Sequence, residues 1–286
     1  MASNYQKLSC LGPHGFHRMA YRQWGDRQNT NHLICVHGLT RNSHDFDRFA
    51  EVLQQDYLVT CPDVVGRGRS DWLPVKADYG YPLYTADLAA LIARLGTDAV
   101  DWVGTSMGGL AGMMLAAQSG SPIRKLVVND IGPVVPAGLV RRIVGYLGDN
   151  LTFKTMQAAE VYLRGLYKGF GPLTDEQWLE VAVNSTYQNR DGSYTLAYDP
   201  GIAENWRRIP VDQVKDEELW GIWDAIQCPV LVLRGELSDA LPAEVAEQMT
   251  RRGPKAELIT IPETGHNPPL MDPEQIEFVR RWLRKD

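Results

Sequence analysis

One serine in this chain is surrounded by small residues, in Gly104-Thr105-Ser106-Met107-Gly108-Gly109, directly after the apolar run "VDWV" at 100–103. An apolar segment bounded in this way reads as a buried strand running into a turn. Glycine on both sides of a serine marks a place where a larger side chain would clash or where φ must be unusual. A serine hydroxyl is a poor nucleophile at neutral pH. To attack a carbonyl carbon it needs a base for its proton, a group that orients the base, and donors for the oxyanion that forms. The spacing G-x-S-x-G, set between a strand and the small-residue helix "MGGLAGMMLAAQ", is the sharp turn that projects such a serine from a sheet edge. The helix N-terminus adds partial positive charge beside the forming anion.

The other parts can be sought by chain order, which in this architecture runs serine, acid, histidine. His14, His17, His32, His37 and His44 all precede Ser106, so His266 in "IPETGHNPPL" is the eligible base. Between them, "VLVLRGELSDAL" offers Asp239 just beyond the Gly235 turn, where a carboxylate can swing toward a histidine. Asp239 is the expected acid, its other reading being a helix cap. The rival is Asp130 in "VVNDIGP", which then becomes a structural group where the sheet pattern breaks off. A second oxyanion donor, beside the Met107 N–H, is expected from the Leu39 N–H in "ICVHGLT". His37 in that loop fails the chain-order test as a base, and local hydrogen bonding that shapes the loop is its expected job. Arg41 and His44 follow on the same loop, where substrate contact and plain surface exposure are the two readings.

These residues need a scaffold, and the pattern supplies one. Residues 5–24 read as two antiparallel strands around Gly12-Pro13-His14-Gly15. After that, strand and helix patterns alternate from "HLICVHG" through "DFDRFAEVLQQ", "YLVTCPD", "YTADLAALIARLG" and "VDWVGT" to "IRKLVVND". Such alternation predicts an α/β fold, a mostly parallel central sheet with helices on both faces. The rhythm stops near Val134. Candidate helices at 139–147, 155–167 and 175–183 follow, then the turn-rich "NRDGSYTLAYDPG", before strands resume at "CPVLVLRG". The chain thus divides into a core of 1–133 and 215–286 and a mainly helical cap of 134–214. A final helix is expected after Asp272 as N-cap and Pro273 as first residue. Tyr146, Trp178, Tyr187 and Trp206 are candidates to line a substrate pocket beneath the cap, and for any single one of them a place in the cap's own core is the favoured reading.

Composition removes several other classes. The chain has 286 residues and a formal net charge of −6, which argues against a nucleic-acid partner because phosphate binding needs a basic surface. No apolar run reaches the roughly 18 residues of a membrane span, and the first residues lack a secretory pattern. Cys10, Cys35, Cys61 and Cys228 show no metal or redox spacing and read as reduced, buried thiols, which points to the cytoplasm.

With these motifs in place, the chain resembles the α/β-hydrolase family over nearly its whole length, most closely a serine-nucleophile, carboxylesterase-like branch. The resemblance rests on "HGLT" at 37–40, "PDVVGRGRSD" at 62–71, "GTSMGG" at 104–109, "RGELSDAL" at 234–241 and "GHNPPL" at 265–270. It implies Ser106 as nucleophile, His266 as base, Asp239 as acid, and the amides of Leu39 and Met107 as oxyanion donors. It also implies that Asp63, Gly66, Gly68 and Ser70 form a structural turn. The expected activity is cleavage of small-molecule carboxylic esters through an acyl-enzyme, with no metal or organic cofactor. Two alternatives are an enol-lactone or carbon–carbon bond hydrolase of aromatic catabolism, with a cationic residue such as Arg41 pointing into the pocket for its carboxylate substrates, and a small-molecule receptor on a hydrolase scaffold.

Overall fold

The structure is a computed structural model that describes residues 5–208 and 210–285. Its centre is an eight-stranded sheet. The first six strands are β1 (Gln6–Gly12), β2 (Gly15–Trp24), β3 (His32–Val36), β4 (Leu58–Asp63), β5 (Val100–Thr105) and β6 (Ile123–Asn129). Helices α1 (Asp47–Leu53), α2 (Tyr81–Leu95) and α3 (Met107–Ala116) connect them. Between β6 and the next sheet strand lie β7 (Val134–Val135), α4 (Ala137–Val144), β8 (Thr152–Phe153), α5 (Met156–Leu166), α6 (Asp175–Asn184), β9 (Thr186–Gln188), β10 (Tyr194–Leu196), α7 (Ala203–Trp206), β11 (Glu217–Glu218) and α8 (Trp220–Ala225). The sheet then resumes with β12 (Val230–Gly235), α9 (Ala243–Met249), β13 (Glu257–Ile261) and α10 (Pro273–Leu283).

Strand order is β1-β2-β4-β3-β5-β6-β12-β13, antiparallel for β1–β2 and β2–β4 and parallel for the rest. The expected mostly parallel sheet is therefore present. Alternation along each strand sends side chains to opposite faces. Ile34, Val36, Trp102, Val128 and Val232 face α2, α3, α8 and α9. Leu33, Cys35, Val103, Val127 and Leu233 face α1 and α10. Asp272 caps α10 by accepting from the Glu274 and Gln275 N–H groups, with Pro273 in the first turn, as the sequence predicts. Of the cysteines, Cys10, Cys35 and Cys61 are buried and Cys228 is half-buried; all four are unpaired.

The stretch after β6 carries strands that its composition does not announce. The turn-rich passage forms a hairpin, β9–β10, which β8 extends to a three-stranded antiparallel sheet. β7 pairs with β11, Val134 opposite Glu218, and so closes the neck of the inserted segment. These strands have only two or three residues each, too short to show a period-2 pattern.

α3 lies unusually close to the sheet, and its glycines are the reason. A Cβ on Gly108 would stand 2.1 Å from the Val36 carbonyl oxygen, and one on Gly104 would stand 2.2 Å from the Gly108 oxygen. This contact fixes the helix whose N-terminus carries Ser106. Gly108→Ala is expected to lower stability by about 1–3 kcal/mol through overpacking. Gly165→Ala, in an open position on α5, is expected to raise it by roughly 0.5–1 kcal/mol. Urea denaturation midpoints of the two variants measure both.

Candidate active site

The sheet places Ser106 and Asp130 side by side. Thr105 at the end of β5 pairs with Asn129 at the end of β6, and the ladder continues one residue further through Ser106 N–H to Asn129 O at 2.9 Å. Asp130 N–H in turn donates to Leu233 O of β12 at 2.8 Å. Both residues turn sharply out of their strands at positive φ, 50° for Ser106 and 57° for Asp130. Non-glycine residues held there carry backbone strain, which persists only where surrounding contacts over-determine it. His266 comes from the loop after β13 and meets both. Its Nε2 lies 3.0 Å from Ser106 Oγ and its Nδ1 2.8 Å from Asp130 Oδ2. A carboxylate can only accept, so Nδ1 carries the proton and the Nε2 lone pair faces the serine hydroxyl.

The carboxylate behind His266 is therefore Asp130's, and the expectation for Asp239 is corrected. Asp239 lies four residues past Gly235, exposed, with its Oδ1 2.9 Å from Arg142 Nη2. The "RGELSDAL" segment serves the site in another way, by holding Asp130. The Gly235 N–H donates to Asp130 Oδ1 at 2.8 Å and the Ser238 hydroxyl to Oδ2 at 2.6 Å. Ser238 Oγ is itself fixed by the Ala240 and Leu241 N–H groups, each at 3.1 Å. Asp130 is fully buried, and with three donors its charge is compensated.

The loop opposite is built with similar care. His37 is fully buried, and desolvation pulls its pKa down to about 3, so it is neutral. Its Nδ1–H donates to Gly38 O at 2.7 Å, and its Nε2 accepts the Val64 N–H at 2.9 Å. Gly38 O also accepts the Arg41 N–H at 3.2 Å. A trans peptide directs its N–H opposite to its carbonyl. Pinning Gly38 O therefore fixes the direction of the Leu39 N–H. The next carbonyl, Leu39 O, accepts from Arg67 Nε at 2.8 Å, and the same buried guanidinium reaches Val65 O and Met107 Sδ. Gly38 passes so near Ser106 that an added Cβ would sit 3.8 Å from Ser106 Cβ. The Met107 N–H opens α3, where the first amides have no partner within the helix.

The family-like turn has the structural job expected of it. Asp63 accepts from the Ser43 and Arg69 N–H groups, each at 2.7 Å. Ser70 bonds the Asp63 carbonyl and accepts from the Ala20 N–H. Gly68, at φ 51°, lies where a Cβ would strike the Asp63 carboxylate at 2.2 Å.

A cavity opens over Ser106 and His266. Its walls include Leu39, Arg41, Leu139, Ile143, Tyr146 and Tyr167. Of the four aromatic candidates, Tyr146 is here; burial pushes its phenol well above the ordinary range, so it stays protonated. Trp178 instead ends a stack, Tyr167–Phe170–Trp178, with centroid spacings of 5.0 and 6.2 Å. Tyr187 donates to Gly68 O and lines a separate crevice with Tyr5 and His44. Trp206 is half-buried against the main core. Arg41 lines the cavity but is only 6% exposed, and its guanidinium holds Asp45 and Ser185. His44 is half-buried and bonds Tyr5 and Asp47. The sequence reading missed Tyr167, Phe170 and Arg142. The spacing of Leu139, Arg142 and Ile143 along the amphipathic α4, with Tyr146 in the turn that follows, was the available signal for the last.

Among the described residues, one group has metal-ligand spacing: Cys10, His17 and Asp87, whose donor atoms lie within 4.8 Å of one another. It sits on β1, β2 and α2, outside the Ser106 cavity. His17 Nε2 and Asp87 Oδ2 are hydrogen-bonded at 2.7 Å, closer than two ligands on a tetrahedral ion stand. No helix among the described residues is long and apolar enough to cross a membrane.

A family model described as alpha/beta hydrolase fold matches residues 31–273, a span that contains all five motifs. The chain belongs to the α/β-hydrolase family. This α/β hydrolase is 45% identical over 281 residues to the 3-hydroxybutyrate-oligomer hydrolase of Cupriavidus necator, with 96% of each chain covered. It is 27% identical over 247 residues to the 2-(acetamidomethylene)succinate hydrolase of Mesorhizobium japonicum, covering 85% of this chain and 84% of that one. An α/β hydrolase structure from Novosphingobium aromaticivorans matches with a TM-score of 0.86 at 37% identity, over 99% of both chains.

The geometry separates the two acids. Asp130→Asn is expected to lower kcat on a neutral p-nitrophenyl ester by about 10⁴-fold, the size seen when a triad carboxylate is replaced by its amide. Asp239→Asn is expected to stay within about threefold, as for loss of an exposed ion pair. Steady-state kinetics of the two purified variants check the contrast.

Proposed function

We propose that this α/β hydrolase cleaves carboxylic esters through an acyl-enzyme, and that its substrates are short esters of 3-hydroxy acids. The observation that carries the chemistry is the chain Ser106 Oγ–His266 Nε2–Nδ1–Asp130, with links of 3.0 and 2.8 Å. Ser106 Oγ attacks the carbonyl carbon while His266 Nε2 takes its proton. The resulting oxyanion accepts from the Leu39 and Met107 N–H groups, whose directions are set by the pinned Gly38 carbonyl and the start of α3. His266 then delivers the proton to the departing alcohol oxygen as the C–O bond breaks. A water molecule, deprotonated by the same nitrogen, hydrolyses the acyl-serine. Asp130 holds the imidazole in the required tautomer and stabilises its cation.

Similarity to the 3-hydroxybutyrate-oligomer hydrolase across 96% of both chains supports the substrate class. The segment between β6 and β12 acts as a cap, since its Leu139, Ile143, Tyr146 and Tyr167 wall the cavity over Ser106. Free cysteines at all four positions support a cytoplasmic setting.

The test is hydrolysis of the 3-hydroxybutyrate dimer and trimer, beside p-nitrophenyl esters from acetate to palmitate, by the wild type and Ser106→Ala. The expected outcome is release of 3-hydroxybutyrate, an optimum among the short acyl chains, and loss of at least about 10³-fold in the variant. Failure of a folded wild type to cleave any of these esters would overturn the reading.

A further inference from the structure

The cavity over Ser106 has an uneven charge. Among the described residues, no aspartate or glutamate lines it, while two arginines, Arg41 and Arg142, do. In a protein of net charge −6, a reaction cavity with cations and no carboxylate favours an anionic ligand.

The two arginines are not equivalent. Arg41 is committed to the protein: Nε lies 2.9 and 3.1 Å from the two Asp45 oxygens, Nη1 donates to Ser185, and the guanidinium lies over the Tyr167 ring at 4.9 Å. Arg142 extends from α4, between Leu139 and Tyr146, and its one ion pair among the described residues is with Asp239 through Nη2 at 2.9 Å. That pair is loose in the energetic sense, because its side chains are 39% and 55% exposed and exposed pairs contribute little. A guanidinium has five N–H donors in a planar fork, so most of Arg142's capacity is free for a planar anion.

We propose that Arg142 is a specificity-determining residue that binds the free carboxylate of the substrate. This rests on the ester-hydrolase reading above and names what that site selects. In an oligomer of a 3-hydroxy acid, the terminal carboxylate is two carbons from the alkoxy oxygen of the last ester bond. Arg142 and Ser106 line the same cavity, so a carboxylate held at Arg142 keeps the last ester bond inside that cavity, and cleavage there releases the hydroxy acid itself as the alcohol. Arg142 touches neither Ser106 nor His266 among the hydrogen bonds of the site. Its effect falls on recognition, through a bidentate charge-assisted contact.

The experiment compares the 3-hydroxybutyrate dimer with the same dimer carrying a primary amide in place of its carboxylate, using wild type, Arg142→Gln and Arg142→Lys. The wild type is expected to prefer the acid by at least about tenfold in kcat/KM, the worth of one hydrogen-bonded charged contact. Arg142→Gln is expected to abolish that preference mainly through KM for the acid, with kcat changed much less. Arg142→Lys is expected to restore part of it, as a point charge without the fork. A wild type that cleaves both dimers equally, or an Arg142→Gln enzyme that keeps the preference, overturns the assignment and leaves the ester reading intact. A wild type that cleaves neither dimer overturns the ester reading itself.

Discussion

A single buried carboxylate ties the site together. Asp130 is fully buried, and its two oxygens receive donors from β12 at Gly235, from the following loop at Ser238, and from His266 after β13. A buried charge is tolerated only when paired and hydrogen-bonded. These three segments must therefore converge on it, and their convergence sets the imidazole in front of Ser106. Asp130 sits at positive φ, as Ser106 does. Both residues leave adjacent parallel strands at the same level, so one register, Thr105 opposite Asn129, aligns Ser106 with Asp130.

The other wall depends on hydrogen bonds that cross from the core to the inserted segment. Thr40 meets the Tyr167 hydroxyl at 3.0 Å, Arg41 meets Ser185, and Asn42 Nδ2 donates to Asn184 O at 2.7 Å. A second junction lies lower down, where Gly68 N–H donates to Ala197 O and Asp199 N–H to Gly66 O. The loop bearing Leu39 is thus held from the core side by His37 and Arg67 and from the insertion side by these contacts. The Leu39 loop and the cavity wall thus form one assembly.

Much of this was legible in the residues, for physical reasons that also explain the misses. The parallel core was readable because its strands are continuous apolar runs and its helices have clear apolar faces, as in α2 with Leu88, Leu91 and Ile92 buried. Ser106 and His266 were readable through glycine spacing and chain order. The sequence favours Asp239 over Asp130 because a loop after a strand gives a carboxylate freedom to reach. What decided the matter was register: β5 and β6 are sequential parallel neighbours, which brings Asp130 beside Ser106 with no loop to span. The motif around Asp239 was informative, but its Ser238 and Gly235 were the working parts. The short strands β8, β9 and β10 left no periodic trace. The aromatics Trp178, Tyr187 and Trp206 could not be assigned from sequence, since a stacked ring and a pocket wall have the same composition.

The measurement closest to the central claim is proton NMR of the His266 ring, edited through nitrogen-15. With Asp130 as the partner of Nδ1, a strongly downfield Nδ1–H resonance should be present in the wild type, survive Asp239→Asn, and disappear in Asp130→Asn. A resonance that is lost in Asp239→Asn and kept in Asp130→Asn would contradict the account.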